Sequence, residues 1–406
     1  MTVSDKPVLI IGAGVVGLTL AHGLKKANIP FEIYERDENI DARGQGWAIT
    51  LHWVLQYLGE IIDQDTFAGL DDVQVDPETG RNDTGNFIFI NLKTKEPKFY
   101  IPPNARRRVN REKLRRLLLK NVAENVHWDK QLTDVQVSDN GVKAAFADGS
   151  AAEGKMLIGA EGSNSQTRKY LVPEDYQNYL LPVKLVGVSV DLTPAQIKPL
   201  RQIDPLLFQG CHPETGVFIY VSVLETPEVN GSAGTADEHY RVQIMTSWLA
   251  KDHDEHIPES NSERIAMIKR LATGFHPDLY SIVQAIPETS PTLHLVLQDW
   301  PCRDWDNHDG RVTLAGDAAH AMVMYRGEAG NHGILDAWHL LRQIKTVYAG
   351  DKTRAEAMDA YEREMKERAM PAVLLSRQAC LDAHDFHGLN ENSAVLKKRA
   401  INAART

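Results

Sequence analysis

The 406 residues, at a prior of about 150 per domain, predict two to three domains and exclude a peptide-sized or disulfide-stapled fold. A content of 43% hydrophobic, 25% charged and 7% aromatic residues is that of an ordinary soluble globular chain. A formal net charge of −10 argues against nucleic acid or an anionic membrane surface as partner, because both repel a polyanion, and leaves small molecules as the expected ligands. Cys211, Cys302 and Cys380 are odd in number and far apart in the chain. They suit neither a disulfide framework nor a metal-ligand pair and point to a reducing, cytoplasmic setting.

The N-terminal stretch MTVSDKPVLIIGAGVVGLTLAHGL is apolar, but its four glycines and its lack of a basic n-region and a small-residue cleavage site argue against a signal peptide. No other stretch approaches the length of a membrane span. Pro7–Ile11 predicts a short buried strand, Val15–Ala27 a helix and Phe31–Tyr34 a second strand, which together make a βαβ start. Gly12-Ala-Gly14-Val-Val-Gly17 lies at the first strand-to-helix turn, with Glu35 ending the second strand. Gly12 permits the tight turn, Gly14 lets the backbone approach a pyrophosphate, and Gly17 lets helix and strand pack closely. The helix N-terminus offers unpaired N–H groups to the phosphates. Glu35 is placed to accept hydrogen bonds from an adenosine ribose, with Arg36 beside it as a further cofactor-binding candidate. Strand, helix and acid at this spacing favour a dinucleotide site over a purely structural glycine turn, without separating NAD from FAD.

Val109, Leu114, Leu117 and Leu118 mark an apolar stripe on a basic helix starting near Asn110, and Lys155–Ala160 predicts another buried strand. Arg106, Arg107, Arg108, Arg115 and Arg116 read as a solvated helix face. Beyond about residue 180 the β-rich segments Leu185–Leu192, Gly216–Leu224, Tyr240–Leu249 and Leu293–Gln298 follow without regularly interposed helices, as a separate antiparallel sheet would. In the second of these, Val217, Ile219, Val221 and Val223 alternate with Phe218, Tyr220 and Ser222. Tyr220, and His294 on another strand, are therefore candidates to roof a substrate cavity, with a solvent-facing Tyr and His as the equal alternative. The polar stretches 225–239 and 251–262 predict mobile surface loops. Asp252-His253-Asp254-Glu255-His256 contains metal-ligand residue types but lacks helix spacing and reads as solvated, with no metal expected. After a further βα unit at Arg311–Ala315 the chain reads as helical to its end, with Pro371 breaking the last long run.

Gly316-Asp317-Ala-Ala-His320, followed by Asn331 and Asp336, decides between the cofactors. In this run the sequence resembles the single-component FAD-dependent aromatic monooxygenases of the para-hydroxybenzoate and salicylate hydroxylase type. A polar turn before a helix would explain Asp317 alone, but not the whole run. The resemblance implies that Gly316 and Asp317 bind the ribityl and pyrophosphate part of FAD, and that the following helix, with Gly330 and Asn331, points its N-terminus at the flavin. Gly159-Ala-Glu161-Gly162-Ser-Asn-Ser165-Gln-Thr-Arg168 looks like the family's GADGxxSxxR segment, with Glu161 for the usual Asp. That segment serves FAD and the nicotinamide cofactor in the family. Arg111 matches the arginine that begins the family's FAD-contacting helix. Met324-Tyr-Arg-Gly-Glu-Ala-Gly330 departs from the family pattern: Met324 stands where proline often packs by the flavin, and Arg326 and Ala329 stand at common glycine positions. Arg326 joins Tyr220 and His294 as a catalytic candidate.

These motifs imply an α/β fold: a Rossmann-like FAD-binding domain with an inserted, mainly antiparallel β substrate domain and C-terminal helices. The expected FAD-binding segments are 1–75, 105–180 and 300–350, the substrate domain 76–104 and 181–299, and the C-terminal helical region 351–406. No second glycine-rich turn follows, as in the family, which binds its reductant transiently. The implied activity uses FAD, NADH or NADPH and O2 to hydroxylate or epoxidise an apolar aromatic or polycyclic small molecule, with the cofactor carrying the difficult chemistry. The alternatives are a flavoprotein dehydrogenase or oxidase without oxygen insertion, and a non-redox protein that keeps FAD as a scaffold for ligand binding or cyclisation.

Overall fold

The computed structural model describes residues 6–42, 46–252 and 255–399. Among these, Val8–Ile11, wholly buried, is the middle of a five-stranded parallel sheet ordered Val312–Leu314, Met156–Gly159, Val8–Ile11, Phe31–Tyr34, Val126–His127. Strands covered on both faces are apolar throughout rather than alternating. The helices Val15–Lys26 and Ala329–Ala349 pack against one another and share one core with this sheet. A small antiparallel sheet of Leu132–Ser138, Gly141–Phe146 and Ala151–Gly154 contributes Leu132, Val135 and Phe146 to the same core.

The second large layer is a seven-stranded sheet ordered Thr292–His294, Val183–Leu192, Tyr240–Leu249, Phe218–Glu225, Leu207–Cys211, Phe87–Asn91, Pro97–Ile101. It is antiparallel except where Leu207–Cys211 lies parallel to Phe87–Asn91. Val186, Val188, Ile219, Val221 and Ile244 form one face, under the helices Pro194–Arg201, Asn261–Leu271 and Pro277–Gln284. Leu185, Phe218 and Met245 form the other, with Tyr220 against it and the C-terminal helix behind. The single segment expected over Leu293–Gln298 is instead two strands: Thr292–His294 edges the large sheet, while Gln298–Asp299 leaves it to pair with Tyr179–Leu180. The polar stretch 225–239 is pinned as well as exposed, because Asn230 Nδ2 donates to the His239 carbonyl at 2.9 Å and Ser232 is buried.

Pro371 does not break the last helix, which runs unbroken over Arg354–Asp382. Ala369 and Val373, on either side of the proline, are fully buried, and their packing outweighs the lost backbone hydrogen bond. The helix is not a region apart. Met358, Tyr361 and Met365 lie in the core of the parallel sheet, and Ala379 and Cys380 in the core against the large sheet. Beyond Asp382 the chain turns instead of continuing as helix, and Ala394, Val395 and Leu396 insert into that second core.

A buried hydrogen-bond chain fixes this end. His384 Nδ1 lies 2.7 Å from the Cys380 carbonyl, so that nitrogen carries the proton. Nε2 then accepts from Ser247 Oγ at 2.9 Å, and Ser247 Oγ accepts from Tyr325 Oη at 2.8 Å. Burial lowers the His384 pKa from 6.5 to about 4. The unfolded chain thus binds this proton more readily, so the group's stabilisation is complete above pH 6.5 and falls away as the pH drops toward 4. At about 1.4 kcal/mol per unit, lowering the pH from about 6.5 to about 5 removes about 2 kcal/mol through this residue. Denaturant titrations should show His384→Gln losing about that much less than the parent over the same interval; an identical loss would remove His384 from the acid response.

Candidate active site

Between the first, second and late strands lies a cleft of about 300 Å³. Its floor is the glycine turn. Gly12 has φ +108°, and a Cβ there would stand 2.5 Å from the Ala160 carbonyl oxygen. A Cβ at Gly17 would stand 2.1 Å from the Gly12 carbonyl oxygen. These two glycines let three chain segments meet. A Cβ at Gly14, by contrast, meets no atom within 4 Å and would project into open space, on a residue that lines the cleft. The helix behind it, Val15–Lys26, has neither a side-chain cap nor an acidic first-turn residue, which leaves its first N–H groups for an anion.

Glu35 and Arg36 line one end of the cleft. Glu35 is buried, and its Oε2 accepts from Ala13 N at 2.7 Å while Oε1 accepts from Asp37 N at 3.1 Å, tying the second strand to the glycine turn. Arg111 also lines the cleft. The arginines read as a solvated helix face divide differently. Arg106–Arg108 approach and enter the strand Arg107–Asn110 rather than a helix, and strand alternation buries Arg106 and Arg108 while Arg107 stays exposed enough to pair with Asp71. Arg115 is buried too: its Nε donates to the Ala13 carbonyl at 2.8 Å and Nη2 lies 3.4 Å from Asp37. Its position four residues after Arg111 put it on that helix face, a signal the sequence contained. Arg116 alone of the helical pair is solvated, against Asp41.

At the other end the strand Val312–Leu314 turns at Gly316, whose φ is +61° and whose Cβ would meet Val16 at 2.9 Å. The Gly316 N–H donates to Asp336 Oδ2 at 2.7 Å. Asp317 then points its half-buried carboxylate at the cleft. No hydrogen bond from the described residues reaches it. Burial pushes this carboxyl above its usual range, against the pull of His320, Arg111 and Arg168. Gly330 lines the cleft at the start of the helix Ala329–Ala349, which again has no side-chain cap and no acidic first-turn residue. Asn331 does not line it. Its Oδ1 accepts from His52 N at 3.0 Å and its Nδ2 donates to the Thr50 carbonyl at 2.9 Å, so its amide is used to hold the strand Ala48–Leu51 in place.

Glu161 reaches the cleft wall, but its carboxylate folds back. Oε2 accepts from Ser165 Oγ at 2.6 Å, and Oε1 from Gln166 N and Thr167 N at 3.0 Å each. Its longer side chain thus caps the helix Gln166–Leu171. Burial raises its pKa, and these bonds oppose the rise.

Of the three catalytic candidates, Tyr220 lies half-buried on the large-sheet face that carries Phe218 and Met245. His294 does not. It pairs with Val186, so its side chain shares Val186's face, the one under the outer helices, and it is exposed at the sheet edge. Arg326 is buried, but its guanidinium is engaged elsewhere: Nε donates to Glu328 at 2.7 Å and Nη1 to the Ala394 carbonyl at 2.5 Å. It fastens the C-terminal segment rather than facing a substrate. Met324 is exposed. Of the cluster 252–256, His253 and Asp254 lie outside the described residues.

The cleft fits FAD on two independent grounds: a glycine whose Cβ would fill it, and an unpartnered carboxylate placed to accept from a hydroxyl. Glycine turn, the acidic Glu35 and the late Gly-Asp turn on a parallel sheet, beside a second, mainly antiparallel sheet, define a flavoprotein of the α/β class. The chain belongs to the family of the FAD binding domain, which it matches over residues 5–376, and it is an FAD-dependent monooxygenase. It is 46% identical over 359 residues to the FAD-dependent monooxygenase dbaB of Emericella nidulans, covering 87% of this chain and 90% of that one. It is 31% identical over 359 residues to the FAD-dependent monooxygenase tazP of Aspergillus terreus, covering 82% and 88%. In fold it is similar to 2,6-dihydroxypyridine-3-hydroxylase of Arthrobacter nicotinovorans, with a TM-score of 0.76 at 17% identity over 97% of each chain. Among the described residues no helix is long and apolar enough to cross a membrane.

Two substitutions test the site. Gly14→Val should fold yet fail to take up FAD, read as flavin absorbance after reconstitution; normal occupancy would sever the glycine turn from cofactor binding. A hydrogen bond to a charged group contributes about 1.5–3 kcal/mol, so Asp317→Ala should weaken FAD binding about ten- to a hundredfold in titrations of folded apoprotein. Asp317→Asn, which keeps an acceptor, should lose less.

Proposed function

We propose that this chain takes electrons from NADH or NADPH and inserts one atom of O2 into an apolar aromatic or polycyclic small molecule, held between the cofactor cleft and the inner face of the seven-stranded sheet. The other oxygen atom leaves as water. Bound FAD would supply the redox chemistry, accepting two electrons from the reductant and passing them to O2. The chain's own groups bind, orient and exclude water: Gly12, Gly14 and Gly17, with Glu35, Arg36 and Arg111, for the adenosine and pyrophosphate part, and Gly316, Asp317 and Gly330 toward the flavin. On this reading the parallel sheet and its helices form the FAD-binding half and the large sheet the substrate half.

The observation that carries the reading is the composition of that inner face. At its open end Phe87 meets Tyr220 edge-on with ring centroids 6.4 Å apart, both half-buried, whereas Phe89 and Phe218 are covered by the C-terminal segment. Aromatic walls of this kind receive a planar apolar ligand and keep it dry. Transient reductant binding accords with the absence of a second glycine-rich turn in the sequence and with a Glu161 carboxylate already occupied by its helix.

Turnover under ¹⁸O2 with NADH or NADPH, against a panel of phenols, naphthols and polyketide aromatics, should yield a product heavier by one labelled oxygen atom. Reductant oxidation that returns all its electrons as hydrogen peroxide with every compound would favour the oxidase alternative.

A further inference from the structure

We propose that Arg108 anchors an anionic oxygen group of the substrate, a phenolate, enolate or carboxylate, on the inner face of the large sheet. This rests on the placement of the substrate given above.

Arg108 stands opposite Thr50 in the two-stranded ribbon of Ala48–Leu51 and Arg107–Asn110. It is buried, and its guanidinium reaches only neutral hydroxyls: Nη1 donates to Thr50 Oγ1 and Nη2 to Ser222 Oγ, both at 2.9 Å. Its Nε is buried with no partner among the described residues. The other arginines of this region are compensated. Arg106 pairs with Asp83 at 2.6 Å and Arg326 with Glu328 at 2.7 Å, while Arg399 donates to the carbonyls of Arg326, Lys397 and Tyr325. Among the described residues no carboxylate forms an ion pair with Arg108. A buried cation without a counter-charge is costly, and the cost is recovered when an anion arrives.

The sheet opposite supplies a second, separate observation. Gln209 is buried and its Nε2 has no hydrogen-bond partner among the described residues. Gln209 lies across from Tyr220 in register, and the Tyr220 ring centroid is 5.8 Å from Arg108 Cζ. Ser222, which receives the Arg108 bond, is two residues further along the same strand and on the same face. Arg108 Nε and Gln209 Nε2 are donors, and neither has an acceptor. Charge-assisted bonds from such donors to an oxyanion are about twice as strong as neutral ones. With Phe87 and Tyr220 beside them, they describe a ligand that is an aromatic body carrying one negatively charged oxygen.

The FAD-loaded enzyme is titrated with 1-hydroxy-2-naphthoate and, separately, with 2-methoxynaphthalene, each followed by the change in flavin absorbance, which needs no turnover. The parent should bind the naphthoate at least about tenfold more tightly than the ether. Arg108→Met should weaken the naphthoate about ten- to a hundredfold and leave the ether within about twofold, and Arg108→Lys should recover part of the loss. If Arg108→Met does not fold, Gln209→Leu decides, with a loss of about threefold or more confined to the naphthoate. Equal losses for both probes, no loss, or no naphthoate binding by the parent would overturn the proposal. Labelled-oxygen turnover separates the two readings: an enzyme that oxygenates neutral aromatics equally well with and without Arg108 keeps the monooxygenase function and loses this anchor. Arg108-dependent naphthoate binding with no oxygenation of any compound does the reverse.

Discussion

The cofactor cleft depends on one buried carboxylate, Asp336. Its side chain is fully buried, and it accepts from Gly316 N at 2.7 Å, His320 Nε2 at 2.6 Å and Arg368 Nη2 at 2.7 Å. Burial alone would raise its pKa, but His320 and Arg368 hold it well below the usual carboxylate range. An isolated charge in this position costs several kcal/mol. The carboxylate and its partners must therefore be present together, and they come from three places in the chain: the late turn, the helix Ala329–Ala349 that carries Asp336, and the C-terminal helix. Arg368 also donates to His332 and Glu364, so the network extends beyond the carboxylate itself. What Asp336 secures is the left-handed turn at Gly316, and with it the direction in which Asp317 presents its carboxylate.

A second constraint is the use of charge as mortar between segments. Glu35 and Arg115 both grip Ala13, one through its N–H and the other through its carbonyl. The glycine turn is thereby held from both sides while Gly14 stays bare. Glu161 does similar work for the helix Gln166–Leu171, and Arg326 for the terminal segment. Residues whose types suggest contact with a cofactor or substrate are thus in several cases the supports of those that line the cleft.

That distinction sets how far the sequence could be read. Positions where the backbone itself makes the demand were legible: Gly12 and Gly17 have no room for a Cβ, and Gly316 has a positive φ, so only glycine fits and the spacing shows it. The strands and helices of the βαβ start were legible for the same reason, as was the alternation along Phe218–Glu225. Less legible was anything decided by distant partners. Which face of an edge strand His294 joins is set by its register with Val186, more than a hundred residues away in sequence. Pro371 is overruled by packing on both sides of it. Arg106 and Arg108 looked solvated because charge outweighed period; their spacing of two, read as a strand, would have sent both inward. Asn331 and Arg326 flank the cleft-lining Gly330 in the chain without lining the cleft themselves, and their partners, the backbone of 50–52 and the terminal segment, carry no mark in the local sequence.

The order in which the parallel sheet is assembled from the chain has a consequence for synthesis. Its strands come from residues 8–11, 31–34, 126–127, 156–159 and 312–314, and the carboxylate and arginine that brace the late turn come from residues 336 and 368. A ribosome therefore exposes most of the cleft lining early, between Ile11 and Gln166, and its late wall, Ala315, Asp317, Ala329 and Gly330, long afterwards. Until Val312–Leu314 is made, the strand Met156–Gly159 has one open edge, and the seven-stranded sheet can pair before the parallel sheet is complete. Such long-range closure is slow and leaves apolar surface exposed meanwhile. The late wall of the cleft follows every strand of the seven-stranded sheet in the chain, so a cleft closed on both sides needs nearly the whole chain.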